Sequence, residues 1–75
     1  MKSYNFTAQI ERDRETGMYI GVVSNLPGAH THAKSLDELN IKLKEVIELC
    51  LEEMSDEDIQ LLPEFIGVQN MQVRV

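Results

Sequence analysis

His30 and His32 stand two residues apart in a short β-prone run, so their imidazoles emerge on the same face of a strand. Two rings at that spacing suit a zinc or nickel ion, or set one ring as a general base. A metal site needs a third and usually a fourth ligand, with carboxylates behind the rings to orient them. Nothing in the sequence specifies those ligands, and two solvated strand histidines are the simpler reading. No metal and no cofactor is therefore expected, and His30 and His32 are the positions a metal-dependent hydrolase would have to use. Cys50 is flanked by Leu49 and Leu51 and set among acidic residues. A reactive thiolate needs electropositive surroundings and a neighbouring base, so Cys50 reads as a small packing residue. Ser24 and Ser35 lack the context of a nucleophile elbow, and no phosphate loop or dinucleotide fingerprint is present. The chain is not expected to be an enzyme.

The other chemistry-bearing groups are carboxylates. Glu45, Glu48, Glu52, Glu53, Asp56, Glu57 and Asp58 crowd one stretch of a chain whose formal net charge is -6. They suit a solvated helix face or an electrostatic surface that steers a basic partner. Direct nucleic-acid binding needs clustered Lys and Arg to displace counterions, and no such cluster exists. The first residues lack the apolar run of a signal peptide, and no run approaches the ~20 residues that span a bilayer. The expectation is a cytoplasmic protein that meets neither membrane nor nucleic acid directly.

These groups must be positioned by very little protein. At 8.6 kDa the chain is one small domain, able to bury only about 60% of its unfolded surface, and such domains often gain stability by association. Tyr4, Phe6, Ala8 and Ile10 alternate with Asn5, Thr7 and Gln9, which predicts a half-buried strand over 4–10. Residues 11–17 form a charged connection in which Gly17 supplies a positive φ. Residues 18–24 carry bulk on both parities and predict a central strand. Leu26, Pro27 and Gly28 make a corner, and 29–33 predict a third short strand. Ser35 and Glu38 form a capping box that opens a helix. Along it Leu36, Leu39, Leu43, Val46, Ile47, Cys50 and Met54 make one apolar stripe, and Ser55 to Asp58 end or re-cap it. The last residues, 65–75, alternate again, with a change of phase at Gln69 and Asn70 that a bulge would reconcile. The order is β-β-β-α-β: an α+β fold with a small antiparallel sheet packed on one helix. Ile41 and Leu49 lie off the apolar stripe, and with Glu45, Glu48 and Glu52 they are the expected partner-binding residues.

Three features together resemble the HicB-like antitoxin family. They are the strand Tyr19-Ile20-Gly21-Val22-Val23 behind the turn Glu15-Thr16-Gly17, the corner Leu26-Pro27-Gly28, and the helix start Ser35-Leu36-Asp37-Glu38-Leu39-Asn40. The stretch from Glu45 to Glu52 also looks like that family's helix end, and the β-like tail fits its closing strand. The resemblance implies a truncated ribonuclease-H-like domain, homodimeric or homotetrameric, from a prokaryotic toxin-antitoxin system. It implies a small basic HicA-like toxin as partner, an mRNA-cleaving protein that the antitoxin neutralises by covering its active surface. Many such antitoxins carry a second, DNA-binding domain after the closing strand. None is evident here, so one HicB-like domain over 1–75 is expected, without operator binding. Two-metal nucleases need acidic ligands, including on the first strand, and residues 4–10 contain none, so nuclease activity is not implied. The alternative reading is an orphan oligomeric scaffold or small-ligand-binding domain with no toxin partner.

Overall fold

Three short strands run β1 (Ala8–Arg12), β2 (Tyr19–Val23) and β3 (His30–Ala33), followed by helices α1 (Leu36–Glu52) and α2 (Asp56–Gln60). This is the arrangement of a computed structural model that describes residues 3–75; Met1 and Lys2, part of the expected domain, lie outside the described residues. The sheet is antiparallel in the order β1-β2-β3, so the central position expected for the second strand is the observed one. Ala8 pairs with Val23 and Ile10 with Gly21, while Gly21 pairs with Thr31 and Tyr19 with Ala33. Residues in register share a face. One face therefore carries Ala8, Ile10, Tyr19, Gly21, Val23, Thr31 and Ala33, and the other Gln9, Glu11, Ile20, Val22, His30 and His32.

Local chemistry explains both connections. In the first, Asp13 Oδ1 accepts from the Glu15 amide at 3.0 Å and Thr16 Oγ1 from the Met18 amide at 3.2 Å. Gly17 there takes φ 75°, the left-handed conformation its sequence position called for. In the second, Leu26 to Ala29 is a type II turn: Pro27 at the first central position, Gly28 at the second with φ 85°, and the Ala29 amide donating to the Leu26 carbonyl at 3.1 Å. The corner also contributes to packing, because Leu26 is 2% exposed.

The Ser35 hydroxyl accepts from the Glu38 amide at 3.1 Å and so caps α1. The reciprocal half of the expected capping box is replaced: the Glu38 carboxylate turns outward to Lys42, 3.5 Å away. The complete box stands at the second helix, where Ser55 Oγ accepts from the Asp58 amide and Asp58 Oδ2 from the Ser55 amide. The chain therefore re-caps at Ser55 rather than ending there.

The core comprises Val23, Leu26, Ala29, Ala33, Leu39 and Leu43, with Phe6, Ala8, Tyr19, Val46, Ile47, Cys50, Met54 and Leu62 packed partly buried against it. Cys50 thus packs as a small apolar group, as expected. Leu36, assigned to the stripe, is the first residue of α1 and is exposed. Helix and sheet approach closely at Gly21, where a β-carbon would lie 2.8 Å from Leu43 Cδ1.

Two expectations need correction. The first strand occupies Ala8–Arg12 rather than 4–10, because the ladder with β2 runs on to the Arg12–Tyr19 pair and takes in charged residues assigned to the connection. Tyr4 is accordingly exposed. The closing strand is the second correction: among the described residues, 63–75 form no strand. That tail stands out as an arm, with Ile66, Val68, Met71, Val73 and Val75 each 70% or more exposed. The fold within one chain is β-β-β-α with a short second helix.

Gly21→Ala is expected to destabilise the chain by about 1–3 kcal/mol, the usual cost of overpacking. Leu43→Ala removes a core side chain and destabilises by itself, but it should cost less in the Gly21→Ala background than in the parent, because it relieves the overlap. Denaturant midpoints of the two single variants and the double variant measure this coupling. Ser35→Ala should cost about 1 kcal/mol through the lost cap, seen as a lower thermal midpoint without a change in the sheet.

Candidate protein-binding surface

One turn of α-helix advances 3.6 residues, so Ile41, Glu45, Glu48 and Glu52, spaced i, i+4, i+7 and i+11, fall in a row along α1, with Leu49 beside them. Leu39, Leu43 and Cys50 occupy the opposite side and pack against the core. The five residues expected to meet a partner are therefore brought together on one outward face. Ile41 is 63% and Leu49 62% exposed, and Glu45, Glu48 and Glu52 are all exposed. Asp37 and Glu38 continue the negative charge into the first turn, where it also favours the positive end of the helix dipole. The last turn has no basic residue to offset it. What results is an acidic ridge carrying two aliphatic side chains.

A second feature was missed by sequence reasoning. α1 packs over β3 and β2 and leaves an open groove of about 570 Å³ along the β1 side. Phe6 and Ala8 line one wall; Leu43, Lys44, Ile47, Glu48 and Leu51 line the other. The signal was present: Asn40, Lys44, Ile47 and Leu51 repeat the same helical spacing one residue back from the acidic row. It was hidden because Ile47 belongs equally to the core stripe.

His30 and His32 do emerge together, as their spacing required, on the sheet face turned away from α1. Across the strands they lie beside Val22 and Ile20, whose other neighbours are Gln9 and Glu11. Both rings are exposed, and the Gly28 carbonyl lies 3.2 Å from His30 Nδ1, placed to accept from that nitrogen when it is protonated. Among the described residues, no group of three or more His, Cys, Asp or Glu side chains comes together to hold an ion. Nor, among them, is any helix long and apolar enough to cross a membrane.

No family model matches the chain, and no solved structure matches it significantly. Curated proteins do. A UPF0150 protein of Thermotoga maritima is 47% identical over 68 residues, covering 91% of this chain and 88% of its own. A UPF0150 protein of Archaeoglobus fulgidus is 51% identical over 70 residues, with 92% and 94% covered. A third, from a Synechocystis species, is 42% identical over 73 residues, which is 97% of this chain and all of the relative. At such identity over nearly the whole of each chain, with organisms this far apart, the β-β-β-α chain described above belongs to the UPF0150 family of small prokaryotic proteins.

Proposed function

We propose that the chain is a noncatalytic, antitoxin-like binding module that neutralises a small basic, mRNA-cleaving HicA-like toxin by covering its active surface. The observation that carries this reading is the outward face of α1: Glu45, Glu48 and Glu52 beside exposed Ile41 and Leu49. A surface that binds RNA must be basic, and an acidic ridge complements it in charge. Its two aliphatic side chains supply desolvated anchors of the kind that hold protein interfaces together. The acidic groups accelerate and orient encounter, while Ile41 and Leu49 slow dissociation. Inhibition by this route is occlusion, with no bond made or broken. The resemblance of the Leu26-Pro27-Gly28 corner and the capped helix to HicB-like antitoxins points to the same partner.

Two measurements test it. Co-expression with the product of a neighbouring toxin gene should restore growth and yield a complex that co-purifies; failure of both sinks the reading. Reversing Glu45, Glu48 and Glu52 to Lys should weaken binding at least tenfold and flatten its dependence on salt. These side chains are exposed, so circular dichroism should remain that of the parent. Unchanged affinity and salt slope would remove the electrostatic component.

A further inference from the structure

We infer that two copies of this chain exchange their C-terminal arms, residues 69–75 of each laying a fourth strand along β1 of the other and filling the groove beneath α1. This inference is independent of any toxin.

The molecule exposes far more surface than its size accounts for. Its accessible area is 6665 Å², whereas a compact monomer of 8.6 kDa exposes about 4700 Å². The radius of gyration is 14.3 Å, against about 11 Å for a compact chain of this length. The excess area, about 2000 Å² per chain, exceeds the ~800 Å² that each partner contributes to a stable interface.

Two features of the chain complement each other. One is the arm. Met71, Val73 and Val75 alternate with Gln72 and Arg74, the period of a strand with one apolar face, and all three apolar residues are exposed. The other is the edge. Among the described residues β1 pairs only with β2, so its far side is an open sheet edge, a template for an added strand. Beneath it, the groove walled by Phe6, Ala8, Ile47 and Leu51 offers apolar surface to inward side chains. The β3 edge has no such floor, because α1 already packs over it.

The occupant is a second copy rather than the chain's own arm. None of the described arm residues lines the groove of its own chain, and Pro63, with its fixed φ and missing amide, stops the helical run after α2. Exchange between two copies is self-complementary: each gives one arm and receives one, so the assembly closes at two.

The test is disulfide trapping in a Cys50→Ala background. A chain carrying Gln9→Cys on β1 is co-expressed with a chain carrying either Gln72→Cys or Arg74→Cys in the arm. Arm exchange predicts a disulfide-linked species of twice 8.6 kDa containing one of each. Placing both cysteines in one chain and obtaining only monomers with an internal bond would overturn the inference, since the arm would then close on its own sheet. Sedimentation equilibrium supplies the second reading. The parent chain should be a dimer, and Val73→Asp should reduce it to a monomer with its helical signal retained. A monomeric parent, or a Val73→Asp variant that stays associated, would overturn it as well.

Discussion

The close approach of α1 to the sheet at Gly21 governs what the rest of the chain does. A β-carbon there would meet Leu43 Cδ1 at 2.8 Å, so the absence of a side chain sets the helix height and lets Leu39 and Leu43 bury against Val23, Leu26, Ala29 and Ala33. The small residues Gly21, Ala29 and Ala33 belong to β2, β3 and the turn between them. They draw the helix to that side of the sheet. A helix is about 10–12 Å across and strands lie about 4.8 Å apart, so one helix seated over β2 and β3 has no width left for β1. The groove beside β1, and the exposure of Ile10 at its edge, follow from where the glycine and alanines stand.

Much of this was legible in the residues, and what was not has identifiable causes. Strand parity placed Ala8 and Ile10 on one face, and bulk on both parities of Tyr19 to Val23 marked the centre of the sheet. Gly17, Gly28 and Ser35 announced their roles because each meets a strict local requirement: two left-handed φ values and one orphan amide. The start of β1 was less legible because alternation persists from Tyr4 through Ile10, whether or not a partner strand exists opposite. Glu38 left its box because Lys42, one turn on, offers its carboxylate an ion pair, a competition that a motif pattern does not encode. The tail is the most instructive case. Its alternation predicted a closing strand, yet residues 63–75 form none, because a period of two sets which side chains share a face and does not supply the neighbouring strand that a ladder needs.

The candidate surface was legible for a related reason. Helical spacing specifies which residues share a row, so Ile41, Glu45, Glu48 and Glu52 group together from the sequence alone. Spacing could not say that the adjacent row, Lys44, Ile47 and Leu51, faces a groove rather than solvent or core, because that depends on how far the sheet extends beneath the helix.

The two rows meet at Glu48. It belongs to the acidic face and also lines the β1 groove, whereas Glu45, Leu49 and Glu52 lie on the side of α1 away from it. An arm seated in the groove would therefore leave most of the acidic face open, and a partner on that face would leave the groove accessible. Arm exchange and partner binding are thus compatible on one chain. Pairing two copies would moreover present two acidic helix faces on one assembly, so a dimer could engage two basic partners at once. Where both lie on a single target, the second contact forms at the effective concentration set by the first, and avidity would then exceed what one small ridge of carboxylates supports alone. That coupling gives so small a domain a physical reason to carry an apolar arm that its own fold does not bury, despite the aggregation hazard such a segment poses before it is paired.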